Sequence, residues 1–170
     1  PLMSACMNGH HLAVTDLLRA GAKVDLAGSD GRTPLMVACL FGRFEVVQQL
    51  MEHTAVRDQV NDVDQRGCTA LRLACEHNHV QVMPLLLEAR ADVNKADSIQ
   101  HTPLMAASKM GFDQAMQILM RQEANVSTED EEGLTALMLV CIYGHQNALP
   151  TLLAYEPKPE QKNAMGRTEI

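Results

Sequence analysis

Tryptophan is absent from this chain of 170 residues, and only three Phe and two Tyr are present. A β-sandwich core, which draws on aromatic and β-branched side chains, is therefore disfavoured. The core must be built from Leu, Met, Ala and Val, which suits small packed helices. Long hydrophobic runs are also missing. The longest, Ala136 to Tyr143, has eight residues, less than half of what a bilayer-crossing helix needs, so direct membrane insertion is not expected. Basic residues are scarce: 14 Lys and Arg stand against 21 Asp and Glu, a formal net charge of −7. That argues against a nucleic-acid binder working through a cationic face. No basic-then-apolar leader precedes the first predicted element, so the expected compartment is the cytoplasm, with the nucleus as an alternative. What is abundant is apolar residues, at 46%, too many for a disordered chain. The length matches about one ordinary domain.

The chain repeats itself. Thr-Pro-Leu or Thr-Ala-Leu begins at Thr33, Thr69, Thr102 and Thr135, and Gly-Arg-Thr places Thr168 near the end. The successive intervals are 36, 33, 33 and 33 residues, and Pro1 lies 33 before Pro34. Each copy reads as two short helices. Thr33 suits a helix N-cap, and Pro34 the first helical position, where a missing N–H costs nothing. Leu35, Ala38 and Cys39 recur at i, i+3 and i+4, one face of a helix. Gly42 ends it, as do Gly9, Gly111 and Gly144; Asn78 takes that place in the third copy and also tolerates a left-handed conformation. Second helices are marked by the apolar pairs Leu17-Leu18, Leu50-Met51, Leu86-Leu87, Leu119-Met120 and Leu152-Leu153. Pro84 and Pro150 both stand 15 residues after their Thr and are expected near a helix start. The 36-residue interval marks a three-residue insertion within Thr54 to Val60, expected to lengthen the projecting turn.

A period of 33 headed by Thr-Pro-Leu resembles the ankyrin repeat. The resemblance implies an all-α solenoid of stacked helix-turn-helix units with projecting β-hairpin-like turns. Copies fall at about 1–27, 28–63, 64–96, 97–129 and 130–162, with a partial sixth at 163–170. They read as one repeat domain, 1–170, expected to be a piece of a longer chain, because stacked arrays need polar caps at their ends. In the family a His after Thr-Pro-Leu ties adjacent repeats; here Met3, Met36, Arg72, Met105 and Met138 replace it.

Chemistry is hard to find in this pattern. Cys6, Cys39, Cys75 and Cys141 all fall six positions after the repeat's Thr, with Ser108 completing the column. Helices pack roughly 8–10 Å apart, whereas bridged cysteines need Cα atoms within about 7 Å, so core packing is the expected role. Cys68, in a turn, is expected to be exposed. His10, His79 and His145 share a position ten residues after Thr, which suggests structure more than ligation. No zinc spacing, phosphate-cradling glycine motif or nucleophile elbow occurs. The expectation is a non-enzyme with no cofactor and no metal. Asn94, in Ala-Asp-Val-Asn, matches the family segment in which asparagine can be hydroxylated, so the resemblance implies a modification site there.

If packing fixes the recurring positions, binding should use those free to vary. In ankyrin arrays the projecting turns and the first helices line a concave groove. Carried over by position, candidate partner-binding residues in the turns are Arg32, Arg66, Ile99, His101, Glu131, Glu132 and Leu134. At the groove ends of the first helices they are Leu40, Phe41, Glu76, His77, Lys109, Met110, Ile142 and Tyr143. Leu40-Phe41 and Ile142-Tyr143 stand where stacking needs no apolar side chain, since Glu76-His77 fills the same slot. Between Asp97 and Thr135 seven acidic residues face only Lys109 and Arg121, which would steer a partner carrying Lys or Arg. The expected partner is a protein or peptide: an extended segment with an apolar anchor and basic residues. Two other roles fit the sequence, a regulatory or targeting segment of a larger enzyme or channel, and a structural spacer.

Overall fold

The computed structural model describes residues 1–155, so the partial sixth copy at 163–170 lies outside the described residues. Packing divides the chain into two compact units, Pro1–Asp92 and Val93 onward. The first holds α1 (Leu2–Asn8), α2 (His11–Arg19), α3 (Pro34–Leu40), α4 (Phe44–Leu50), α5 (Thr54–Asp58), α6 (Ala70–Glu76) and α7 (Met83–Glu88). The second holds α8 (Pro103–Met110), α9 (Asp113–Arg121), α10 (Ala136–Ile142) and α11 (Leu149–Leu153), the last entered through a 3-10 turn at Gln146–Ala148. No strand occurs among the described residues. In the first unit α3 packs between α1 and α6; in the second α8 packs on α10.

The repeated motif does what its chemistry requires. The hydroxyls of Thr33, Thr69, Thr102 and Thr135 accept the backbone N–H three residues on, at 3.2–3.3 Å, each capping the start of a first helix. In α8 the Met105 sulfur also accepts the Thr102 N–H at 3.5 Å. Pro84 and Pro150 fall in the first turns of α7 and α11, where no intrahelical bond is lost. Of the second-helix pairs, Leu50-Met51 and Leu119-Met120 are fully buried. Leu17, Leu18 and Leu87 are half-buried, and Leu153 is exposed.

Ties between repeats come from the column that holds His79 and His145, in the structural role expected of it. Ten residues after the Thr position, Arg43 Nε donates to the Met7 carbonyl at 2.9 Å. His79 Nε2 meets the Leu40 carbonyl at 3.0 Å, and His145 Nε2 the Lys109 carbonyl at 2.9 Å. A carbonyl only accepts, so each ring carries its proton on Nε2. These carbonyls lie in the last turn of a first helix and have no intrahelical partner. The job lost with the family's His is thus done from the next repeat, and the histidines are structural. Glycine is required beside them for two reasons. Gly42 and Gly111 have φ of +63° and +69°, and a Cβ would stand 2.4 Å from His79 Nδ1 and 2.5 Å from His145 Cγ.

Three expectations need correction. The insertion does not lengthen a projecting turn. It forms α5, because Val56 and Val60 are apolar and become buried. Cys68 is buried, its sulfur 3.4 Å from Arg72 Nη1 and 3.6 Å from Arg66 Nη2. Cys141 is exposed, because α10 packs on α8 and no further first helix follows it among the described residues. The remaining column cysteines are buried as expected. Burial pushes the Cys6 thiol up to about 11 and raises Cys39 and Cys75 as well, so all three stay protonated at neutral pH.

Two measurements check this packing. Gly42→Ala should cost about 2–3 kcal/mol in chemical denaturation, combining left-handed strain with loss of the His79 tie. Gly144→Ala, at φ +74° with nothing among the described residues within 4 Å of an added Cβ, should cost only the strain, about 1–2 kcal/mol. Equal losses would mean the tie contributes nothing. Maleimide labelling of the folded chain should reach Cys141 well before Cys6, Cys39, Cys68 or Cys75; simultaneous labelling would contradict the burial pattern.

Candidate partner-binding surface

The turns before the first helices are built on one aspartate each. Asp64 Oδ1 accepts the N–H groups of Arg66 and Cys68, both at 2.9 Å. Asp97 Oδ1 does the same for Ile99 and His101 at 3.0 and 2.9 Å, and Asp130 Oδ1 for Glu132 and Leu134 at 2.9 and 2.8 Å. A backbone bond closes each turn like a hairpin: Asp64 N–H to the Cys68 carbonyl, Asp97 to His101, Asp130 to Leu134. Burial raises the Asp64 carboxyl, but bonds from Cys68, Arg66 and Arg32 outweigh it and hold the group below its ordinary value. In the second copy Gly28 occupies the aspartate's position, and Asp30 accepts the Arg32 N–H at 3.1 Å instead.

Successive turns inside a unit are joined. Gln65 N–H donates to the Asp30 carbonyl at 3.0 Å, and Glu131 N–H reaches the Ile99 carbonyl at 3.4 Å. Side chains reinforce this: Arg32 Nε lies 3.2 Å from Asp64 Oδ2, and His101 Nε2 lies 3.0 Å from Asp130 Oδ2. His101 and Leu134, placed at the surface by position, are therefore buried inside the turns, and Arg32 is half-buried in a tie. None of the three presents a free side chain to a partner. Sequence reasoning passed over Asp64, Asp97 and Asp130, although an aspartate five residues before Thr recurs every 33.

The other candidates fall into two groups. In the first unit Phe41 is exposed beside half-buried Leu40 at the end of α3. At the end of α6, Glu76 is held by Arg72 at 2.9 Å and approached by Arg66 at 3.7 Å. The exposed His77 ring stacks on His79 with centroids 6.1 Å apart. In the second unit Ile142 and Tyr143 are 54% and 49% exposed, and Met110 is 47% exposed. Lys109 Nζ stands 5.6 Å over the Tyr143 ring, which also stacks on His145 at 6.4 Å. Contacts of this kind hold an aromatic face in one orientation. Ile99, Glu131 and Glu132 are exposed on the turns. Asn94 is exposed, with its Oδ1 accepting the Asn125 N–H at 2.8 Å. Among the described residues no three His, Cys, Asp or Glu side chains converge to hold a metal ion, and no helix is long and apolar enough to cross a membrane.

Comparison with known proteins agrees with this architecture. The family model for ankyrin repeats in three copies matches residues 2–97 and 95–163. Among similar proteins, a probable E3 ubiquitin-protein ligase of Oryza sativa subsp. japonica is 38% identical over 87 residues, 51% of this chain and 17% of the ligase. Transient receptor potential cation channel subfamily A member 1 of Homo sapiens is 32% identical over 88 residues, 52% of this chain and 8% of the channel. A human photoreceptor ankyrin repeat protein is 40% identical over 86 residues, 49% of this chain and 19% of that protein. The chain thus spans less than a fifth of the length of these relatives. With nearly its whole length matched by the family model, the chain belongs to the ankyrin repeat family.

Proposed function

We propose that this chain is a non-catalytic protein-interaction module that holds a partner segment on its turns and on the ends of its first helices. One observation carries the reading: large apolar side chains are exposed where repeat packing does not require them, Phe41 in the first unit and Met110, Ile142 and Tyr143 in the second. Apolar patches of this kind mark interaction sites, and aromatic anchors supply a large share of binding energy. Within the second unit the acidic turn carrying Glu131 and Glu132 leads directly into α10, which ends in Ile142-Tyr143. An extended segment with an apolar anchor and a basic residue suits that combination. Ile99, Lys109 and Met110 complete the candidate surface there; Leu40, Phe41, Arg66, Glu76 and His77 form it in the first unit. Asn94, exposed in its turn, is a candidate for hydroxylation.

A second reading is favoured by the relatives. The repeats they share with this chain occupy less than a fifth of the ligase and of the channel. In that reading the chain is the regulatory or targeting segment of a larger enzyme or channel, a role that sequencing the full transcript would decide.

The test starts from peptides selected by display against the folded chain. Phe41→Ala or Tyr143→Ala should weaken a selected peptide by about 1–3 kcal/mol, mostly through faster dissociation. Replacing Glu131 and Glu132 by Gln should chiefly slow association and flatten its salt dependence. Unchanged binding by every variant, with circular dichroism intact, would remove these surfaces from consideration.

A further inference from the structure

Five serine or threonine side chains are exposed among the described residues: Ser4, Ser29, Thr54, Ser98 and Ser127. Their flanks differ in charge. No acidic residue occurs in the five positions after Ser4 or Ser98, and a single Asp, offset by an Arg, follows Ser29 and Thr54. Ser127 is followed by Thr128-Glu129-Asp130-Glu131-Glu132, four carboxylates and no base. The fold sorts that segment. Thr128 to Asp130 form neither helix nor turn, and exposure alternates along them as along an extended chain. Ser127, Glu129 and Glu131 are exposed, Thr128 is half-buried and Asp130 is buried. Asp130 is spent on the Glu132 and Leu134 N–H groups and on His101. The serine thus shares the open side with the displayed carboxylates, and the neighbouring threonine lies on the covered side.

The hydroxyl is also unemployed where its counterparts are not. Asn61, Asn94 and Ser127 occupy one position of three successive copies. Asn61 Oδ1 accepts the Asp92 N–H at 2.7 Å, and Asn94 Oδ1 accepts the Asn125 N–H at 2.8 Å, each reaching into the next copy. Ser127 gives its backbone N–H to Asn125 Oδ1 at 2.9 Å, but its side chain has no hydrogen-bond partner among the described residues. An exposed hydroxyl outside any helix, with carboxylates displayed after it and no structural task, is open to chemistry that leaves the fold in place.

We propose that Ser127 is a phosphorylation site for an acidophilic serine kinase, one that reads Glu129, Glu131 and Glu132 with basic groups of its own. Kinases select substrates by such charge patterns, and charge-assisted bonds to carboxylates are the strong ones. In the transfer Ser127 Oγ attacks the γ-phosphorus of ATP. An Oγ–P bond forms and the bond from that phosphorus to the β–γ bridging oxygen breaks. The hydroxyl proton passes to the kinase's catalytic aspartate, and ADP leaves. The product carries about −1.5 to −2 further charges at neutral pH, next to the turn of Glu131 and Glu132. Stronger steering of a basic segment follows from the partner-binding reading above; the modification itself does not depend on that reading.

The test incubates the folded chain with magnesium ATP and a casein kinase of the acidophilic class; a kinase that requires basic residues near its target is the control. Intact mass should rise by one phosphate with the first kinase alone, and fragmentation should place it on Ser127. Ser127→Ala should abolish the gain. Glu129→Gln with Glu131→Gln and Glu132→Gln, its fold checked by circular dichroism, should lower kcat/KM about tenfold. The proposal is overturned if the folded chain takes up no phosphate, if the phosphate lies on Thr128 or elsewhere, or if the glutamine variant is modified as fast as the parent. Equal modification by the control kinase overturns it too. None of these outcomes bears on peptide binding at Phe41 or Tyr143, so the two proposals fail separately.

Discussion

Each first helix ends on carbonyl groups that its own turn cannot satisfy, and inside each unit the next repeat answers one of them. Arg43, His79 and His145 all do this from the same place, ten residues after the motif threonine position. Because donor and acceptor belong to successive copies, neither helix pair is complete alone, and stability becomes a property of neighbours. The bond also dictates what surrounds it. The glycines that end α3 and α8 must be small as well as left-handed, since the incoming side chain occupies the space of a Cβ at Gly42 and Gly111.

The turns apply the same logic with a different group. A single aspartate oxygen gathers two backbone N–H groups of its own turn, while the second oxygen of Asp64 or Asp130 receives Arg32 or His101 from the copy before. Polar residues that look available for recognition are in this way consumed by construction. The apolar side chains that remain exposed at helix ends, Phe41 and Ile142 above all, have no such employment. The division between structural and displayed side chains follows from which groups have a partner one repeat away.

The period, the threonine caps, the prolines and the glycines were legible in the sequence because their causes are local: a cap, a fixed φ, an absent Cβ. Burial was less legible, since it depends on what lies opposite. Cys141 shares its register with Cys39 yet is exposed, and Cys68 sits in a turn yet is covered by Arg66 and Arg72. The insertion read as loop because loops accept added residues more cheaply than packed helices, and only the covering of Val56 and Val60 turned it into α5. Of the candidate binding residues, the apolar ones at helix ends were found by asking which slots packing leaves free. His101 and Leu134 were misplaced because their partners lie in backbone and carboxylate groups that no residue pattern displays.

The tie made by His79 has one property that the Arg43 tie lacks. Burial, and then the nearby charges of His77 and Arg43, hold its imidazole below the ordinary histidine value, although the Leu40 carbonyl pulls the other way. A folded-state value below the unfolded one means that the His79 contribution is complete above roughly pH 6.5 and declines as pH falls through the folded value. Arginine in the same slot stays charged throughout. The two seams of the first unit are thus built alike but weather differently: acid places a second cation beside Arg43 at one of them and leaves the bond of the other as it was.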